Sequence, residues 1–532
     1  MKKMIIVGGG AAGMMTAIHA AENYKVLLLE KNDKLGKKLF ITGKGRCNLT
    51  NACDEETFLK NVMSNPKFLY SAISAYPPEA VIRSFQDWGL KVKTERGNRV
   101  FPESDHSSDV IRTLEQQMRK RGVDIRLNTH VRGLLCHSEP VCHSERCEES
   151  SDPVCHSERS EESSELVCHS ERSEESLGPV CHSERSEESS DPVCHSEQSE
   201  ESRRHVCHSE RSEESSDPVC HSERSEESSD PVCHSERSEE SLGPVCHSER
   251  SEESCGIKRV TGVLLSDGTK LTADVVVLAT GGISYPGTGA SGEGVTFLEK
   301  QGLSIRPFQP SLVPMESDLS ICKPMMGLAP KNVEVSFYRL DKPKKPVYRE
   351  FGEMLFTHFG VSGPVILSAS GMLQKYFTAD GRSKERLELR LDWKPALTPE
   401  QLDQRILRDF DQAKNKTLQN AMEGLLPRAA ILPVLALAEM DPELRVHDLK
   451  QEQRRKLVET LKAFRLPITG LRGFDEAIIS AGGLSVKEID PRTMEVKRLQ
   501  GLRVAGEMID CDALTGGFNL QIAWCTAKLA AQ

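Results

Sequence analysis

At 532 residues the chain is long enough for several domains and a sizeable core. Its formal charge of −11 reflects one segment: between Cys136 and Cys255 lie 33 acidic and 10 basic residues, and the remainder carries +12. A mildly basic remainder suits anionic ligands such as dinucleotides without demanding nucleic acid, and no apolar run reaches the ~20 residues of a bilayer-spanning helix.

The start, "MKKMIIVGGGAAGMMTA", has the lysines and apolar run of a signal peptide, but glycines interrupt the run at once. A nucleotide fold explains it better. Met4–Val7 reads as an apolar strand, Ala11–Ala21 as a small-residue helix and Lys25–Leu29 as a second strand. Gly8, Gly10 and Gly13 form GxGxxG, which serves a tight turn, close approach to a pyrophosphate, and close helix–strand packing. The helix N-terminus, with Ala11 and Ala12, offers free N–H groups to the phosphates. Glu30 ends the second strand, where an acid can accept from a ribose hydroxyl, and Lys31 follows it.

Next comes "KLGKKLFITGKGRCN", which holds Lys38, Gly43, Lys44, Arg46, Cys47 and Asn48. Its glycines permit close backbone approach to a ligand, and Lys44 or Arg46 can contact a pyrophosphate or steady negative charge on a bound cofactor. Cys47 is a candidate redox thiol, although it lacks a CxxC partner. His19, on the first helix, reads as structural, and His106 and His130 belong to no constellation.

"VDIRLNTHVRGLL" ends at Leu135 and includes Val131; "IKRVTGVLLSDGTKLTADVVVLAT" begins at Ile257. Both read as strand-forming, with a turn at 266–269. Between them, copies of "PVCHSERSEESSD" repeat every 13 residues from Cys142 to Cys246. This composition cannot bury enough apolar surface to offset chain entropy, and adjacent Cys-His pairs lack the spacing of zinc ligands. The segment reads as a disordered low-complexity insertion in a hairpin loop, with no evident partner and no metal site. Outside it stand five scattered cysteines (Cys47, Cys53, Cys322, Cys511 and Cys525), the usage expected of a reduced cytoplasmic protein.

"VVVLATGG" brings Ala279, Thr280, Gly281 and Gly282 off a buried strand, as expected of one returning to a dinucleotide crevice. Tyr285, in "SYPGTG", and His358, in "FTHFGVSGP", are suitable acids to supply the proton that accompanies hydride transfer to a conjugated bond. "NVEVSFYRL" and "RLELRLDW" are strand-like; "LTPEQLDQRILRDF" and "QEQRRKLVETLKAF" are helical, the first with a capping Thr398 followed by Pro399. The C-terminal "GLRVAGEMIDCDALTGGFNLQIAW" is a strand, an acidic turn and a glycine-rich loop entering a helix. That layout resembles flavoproteins of the glutathione-reductase type. The resemblance implies FAD, a ribityl contact for Glu507 after Gly506, and a place at the ring edge for Gly516, Gly517, Phe518 and Asn519. No second GxGxxG marks a separate NAD(P)H fold.

"KLGKKLFITGKGRCNLTN", "ATGGISYPGTGASGEG", "PSLVPM", "GEMLFTHFGVSGPVILSAS" and the segment 477–524 together resemble the BaiN/YhiN-like family of NAD(P)/FAD-dependent oxidoreductases, which includes proteins of the aminoacetone-oxidase type. The family usually has STGDG where this chain has ASGEG, and SK where it has VK at 496–497. The resemblance implies an α/β fold: a glutathione-reductase-type, Rossmann-like FAD domain with an inserted β-rich domain and a helical subdomain. The expected parts are 1–135, 256–310 and 467–532 for the FAD domain, 136–255 for the repeat insertion, 311–396 for a β-rich substrate domain and 397–466 for the helices. The expected activity is reduction of an unsaturated or carbonyl-conjugated small molecule by FAD, with NADH or NADPH as electron donor and neither membrane nor nucleic acid as partner. An oxygen-using amine oxidase, a flavin-dependent RNA-modifying enzyme and a flavin-bound redox sensor are the alternatives.

Overall fold

The computed structural model describes residues 1–138, 258–378 and 380–532, which fall in one compact unit. Residues 139–257, and with them all but the first three residues of the expected disordered insertion, lie outside the described residues; Cys136, His137 and Ser138, expected at its start, continue a strand.

The chain opens with strand β1 (Lys2–Val7), helix α1 (Ala11–Ala20) and strand β2 (Tyr24–Leu29). A short strand β3 (Asp124–Arg126) follows, then β4 (Val131–Ser138), β5 (Lys258–Leu265) and β6 (Val275–Leu278). Strand β7 (Leu502–Val504) and helix α2 (Phe518–Ala530) end the fold. Five strands form a parallel sheet in the order β7-β6-β1-β2-β3. Parallel strands covered on both faces read as continuous apolar runs, and "MIIV", "VLLL" and "VVVL" are buried throughout. Helices α1 and α2 pack against each other beside the sheet, with Trp524 and Met14 fully buried.

The stretch expected as one strand before the repeats is two elements. β3 joins the parallel sheet, while β4 turns away and pairs antiparallel with β5, from Val131↔Leu265 to Ser138↔Lys258. The turn at 266–269 connects β5 to Lys270–Thr272, which pairs back on it.

A seven-stranded antiparallel sheet forms the β-rich part, running Tyr348–Gly352, Val333–Arg339, Arg382–Asp392, Phe464–Leu471, Met315–Ser317, Gly360–Ser362, Leu355–Phe356. Phe464–Leu471 alternates buried and exposed residues and pairs with both Arg382–Asp392 and Met315–Ser317. The boundary expected after residue 466 therefore falls inside a strand of this sheet. Helices Pro399–Asp411 and Gln451–Lys462 bury Leu402, Ile406, Phe410, Leu457 and Leu461 against it. Thr398 caps the first helix: its hydroxyl accepts from Gln401 N–H (3.2 Å), and the Gln401 side chain accepts from Thr398 N–H (3.0 Å). Ile305–Ser311 pairs with Ile479–Leu484, so the chain passes twice between the two sheets.

Candidate functional site

Parallel register aligns the C-terminal ends of four strands: Val7 sits opposite Leu29 and Leu278, and Leu278 opposite Val504. The next residues, Gly8, Glu30, Ala279 and Ala505, line a cleft enclosing about 1480 Å³ of free space with its open mouth. Ligands of open α/β sheets bind in this crevice beyond the strand ends.

Three glycines shape the first turn differently. Gly8 has φ +107° and a Cβ there would meet the Ala279 carbonyl at 2.5 Å. A Cβ on Gly13 would lie 1.8 Å from the Gly8 carbonyl, so this glycine sets the distance between α1 and the sheet. Gly10 differs: no atom lies within 4 Å of its Cβ position, which opens into the cleft. It caps α1 without a side chain, leaving the first-turn N–H groups for a ligand.

Glu30 is buried. Its Oε2 accepts from Gly9 N–H (2.6 Å), and its Oε1 accepts from the backbone and side-chain amides of Asn32 (2.8 and 2.7 Å). A carboxylate has lone pairs beyond these three, so it can still accept from a ribose hydroxyl. At the same rim, Lys31 Nζ reaches Ser291 Oγ (2.6 Å) and Glu293 (3.3 Å), and His130 Nε2 meets Glu293 at 2.9 Å. Burial alone would raise the Glu293 carboxyl, but His130 and Lys31 outweigh it and hold it below the ordinary range.

At the other end, Lys38 Nζ bridges Glu507 Oε2 and Ser284 Oγ. Glu507 Oε1 accepts from Ser480 N–H (2.8 Å) and Ser284 hydroxyl (3.1 Å), while Ser480 Oγ accepts from the N–H groups of Ile283 and Ser284 (2.9 Å each). Cys511, Asp512, Asn519 and Leu520 complete this end.

Of the expected cofactor residues, Gly8, Gly10, Ala11, Ala12, Glu30, Lys31, Lys38, Val131, Ala279, Thr280, Gly281, Gly282, Gly506, Glu507 and Asn519 line the cleft. Asn519 is engaged in its own loop, accepting from Ala513 N–H and donating to the Ala513 carbonyl. Gly13, Gly43, Asn48, Gly516, Gly517 and Phe518 do not line it. Gly517 packs on the Thr50 backbone and Phe518 on Phe58. Arg46 is held elsewhere: its guanidinium stacks 4.2 Å from the Phe101 ring and pairs with Glu95 and Asp105.

None of the three expected catalytic side chains lines the cleft. Cys47 is fully buried, and burial pushes its thiol up to about 12, which rules out a thiolate at neutral pH. Tyr285 has φ +53° and anchors the 284–293 loop by donating its N–H to Phe474 O (3.0 Å); burial and nearby Glu476 raise its phenol. His358 is exposed in the turn before Gly360–Ser362 and lies edge-on to Phe359. Sequence reasoning passed over Asn32, Ser480 and Asp512. Asn32 follows a recognisable Glu30 and carried a local signal, whereas the other two carried none.

The residues fit FAD. The cleft runs unbroken from the GxGxxG turn to the Glu507 cluster, Gly10 leaves room where phosphates approach, and Thr280 Oγ1 and Asp512 Oδ1 are buried without a partner among the described residues.

Sequence comparison supplies the family. Residues 2–153 match the HI0933-like protein Rossmann domain and residues 309–479 the HI0933-like protein barrel and H2TH domain, together more than half of the chain. The chain belongs to the HI0933-like family. It is an FAD-dependent oxidoreductase with a Rossmann-type FAD domain, as the motifs predict. It is 23% identical over 534 residues to the 3-dehydro-bile acid delta(4,6)-reductase of Clostridium scindens, covering 100% of this chain and 98% of that protein. It is 30% identical over 276 residues to the Ribosomal RNA dihydrouridine synthase of Escherichia coli K12, covering 52% of this chain and 64% of the relative's length. Among solved structures, 3-ketosteroid-delta4-(5alpha)-dehydrogenase from Rhodococcus jostii RHA1 is 12% identical, with 100% of this chain and 96% of that one covered and a TM-score of 0.40. A relative named for ribosomal RNA removes the ground for setting nucleic acid aside as a partner of this HI0933-like chain. Among the described residues, no helix is long and apolar enough to cross a membrane.

Proposed function

We propose that this HI0933-like protein holds FAD in the strand-end cleft and reduces an unsaturated or carbonyl-conjugated small molecule with electrons from NADH or NADPH, in the cytoplasm. The observation that carries the cofactor placement is the unbroken cleft joining Gly10 and Glu30 to Lys38 and Glu507. In this reading Glu30, fixed by Gly9 and Asn32, accepts from the adenosine ribose. The first turn of α1 donates N–H groups to the pyrophosphate across the bare face of Gly10. Glu507, held by Lys38, Ser284 and Ser480, accepts from the ribityl hydroxyls. Bound there, the flavin supplies hydride chemistry. Tyr285 orders the loop that carries Ser291 and Glu293 to the rim. Cys47, Cys53, Cys322, Cys511 and Cys525 stand outside any disulfide among the described residues, which suits a reducing compartment.

The names of the relatives support reduction: one is a reductase of a dehydro-bile acid, the other forms a dihydro base. A second reading, in which the unsaturated group belongs to an RNA base, draws on the latter relative and on the +12 balance outside the repeat segment. Anaerobic titration of the yellow protein with NADH and NADPH tests the first reading. Bleaching by either nucleotide, followed by recovery of colour with a conjugated enone, supports it. Colour recovered only with unmodified ribosomal RNA moves the substrate to the second reading. A protein bleached by neither nucleotide but by an amine is an oxidase, and the reductase reading fails.

A further inference from the structure

One end of the seven-stranded sheet is basic. Arg339, the last residue of the strand Val333–Arg339, pairs with Leu387, and Leu340 N–H donates to the Arg386 carbonyl at 2.9 Å. The hairpin turn that follows, with Lys342, Lys344 and Lys345, therefore stands beside the first residues of Arg382–Asp392, which include Lys384 and Arg386. Phe377 bridges to Ser383 and brings Lys375 and Tyr376 to the same end. Lys342, Lys344, Lys345, Lys375, Lys384 and Arg386 are all exposed, and none makes an ion pair among the described residues. The acids interspersed with them are already matched: Arg339 takes Asp341 and Glu385, Arg382 takes Asp380, and Arg390 takes Glu388. The surface is left with uncompensated positive charge, which draws polyanions.

This is also the end from which the chain leaves for the cleft. Arg382 pairs with Gly470, and Leu471 N–H donates to the Gly381 carbonyl at 2.7 Å. Beyond Leu471 the chain runs through Arg472 to Ile478, Ile479 and Ser480, which line the cleft. A phosphodiester chain carries its charges in a row and meets cations spread over three chain segments, whereas a small anion needs them to converge on one point. A bilayer would also need an apolar wedge, and Leu340, 38% exposed, is the large apolar side chain that the hairpin turn exposes. Tyr376 adds an aromatic ring among the lysines, a combination that suits a polynucleotide.

We propose that the basic end of the β-rich sheet docks the sugar–phosphate backbone of an RNA strand. The assignment rests on the second reading above, in which the unsaturated group belongs to an RNA base, and gives that substrate a binding surface outside the cleft. Contacts to phosphate position a strand without reading its sequence, so the surface takes RNA by charge and leaves the choice of base to the cleft.

The test uses the full-length holoprotein and a fluorescein-labelled single-stranded RNA, read by anisotropy across a salt series. Log affinity falls with log salt by about 0.7 for each phosphate neutralised on a single strand, so engagement of all six cations gives a slope of roughly −4. Replacing Lys342, Lys344 and Lys345 together by Gln is expected to flatten the slope by about 2 and to weaken binding on the order of 100-fold at about 0.1 M salt. Lys384→Gln combined with Arg386→Gln is expected to flatten it by about 1.4. A control with Gln at Lys25, Lys91 and Lys120, exposed lysines of the FAD domain, is expected to bind like wild type. Unchanged flavin content in every variant shows that each has folded. Basic-end variants that bind RNA like wild type, or a control that loses as much as they do, overturn the docking surface and leave the RNA reading standing. RNA held through these lysines that never restores the colour of reduced flavin overturns the RNA reading and leaves the surface standing. A wild-type protein that binds no RNA overturns both. Binding of polyglutamate or of phosphatidylserine vesicles in place of RNA also overturns the assignment and makes the partner an acidic protein or a membrane.

Discussion

Replacing Gly10 and Gly13 separately by alanine separates the two duties of the glycine turn. At Gly13 the new methyl would sit 1.8 Å from the Gly8 carbonyl and 3.0 Å from its carbon. Gly8 cannot retreat, because its N–H is bonded to Leu29 O at 2.8 Å and its own Cβ direction is closed by Ala279. Helix α1 must lift from the sheet, and forced overpacking of this kind costs typically about 1–3 kcal/mol of apoprotein stability, here at the upper end because both sides are backbone. At Gly10 the methyl meets nothing within 4 Å. Loss of a favourable cap and gain in chain stiffness nearly cancel there, leaving less than about 1 kcal/mol in either direction. The methyl does stand in the cleft where phosphate would approach. Losing the charge-assisted bonds made at that approach removes roughly 1.5–3 kcal/mol, or about 10- to 100-fold in FAD affinity. Urea unfolding of the apoproteins and fluorescence titration with FAD measure the two effects independently. A Gly10→Ala protein that binds FAD like wild type refutes the phosphate placement, and a fully stable Gly13→Ala apoprotein refutes the packing argument.

Lys38→Met leaves Glu507 without its cation in a partly buried site and is expected to lose roughly 1–2 kcal/mol of stability together with FAD affinity, both read in the same titrations. Cys47, its thiol held up at about 12, is expected to resist alkylation in native protein at pH 8 and to react once the chain is unfolded; mass spectrometry of the labelled peptides decides. His19 is held down at about 3 by burial first and then by Lys528 and Arg121, against 6.5 in the unfolded chain. The unfolded state therefore binds the extra proton between these values, so this group's stabilisation is complete above pH 6.5 and falls by up to about 1.4 kcal/mol per unit as pH drops towards 3. His19→Gln should flatten that acid limb in urea midpoints measured against pH. Finally, Ser138 and Lys258 are register partners in the β4–β5 pair, so a short hairpin turn can join them. Replacing 139–257 by such a turn is expected to leave flavin content and unfolding midpoint unchanged, and a colourless product would show that the segment contributes to the site.

What could be read from the chain alone was whatever rests on short-range order. The β1–α1–β2 unit, Glu30 at its end and the Thr398 cap each lie within a few dozen residues, where apolar runs, glycine spacing and capping chemistry act directly. The Lys38–Glu507 pair spans 469 positions and depends on β7 docking beside β6, which no local pattern announces. Arg46 shows the reverse case. Its residue type and glycine-rich setting point to a phosphate, but a hairpin formed by Val92–Glu95 and Arg99–Pro102 supplies Glu95, and Asp105 follows it, so the guanidinium is neutralised there.

Residue type names a capacity, and burial and neighbours decide whether it is used. Cys47 has the chemistry of a nucleophile but lies where a thiolate cannot form. Asp510 and Asp512 are the same residue two positions apart, yet one meets Arg306 and Asn65 and the other meets Ser311 and the cleft. Sequence inspection treats "DCD" as a single acidic turn. Placed between the parallel sheet and the strand Ile305–Ser311, the first aspartate holds an ion pair with Arg306 and the second is buried against the Ser311 hydroxyl. The same contrast explains why the acidic repeat dominates the composition while the cleft depends on a few carboxyl groups whose neighbours come from distant parts of the chain.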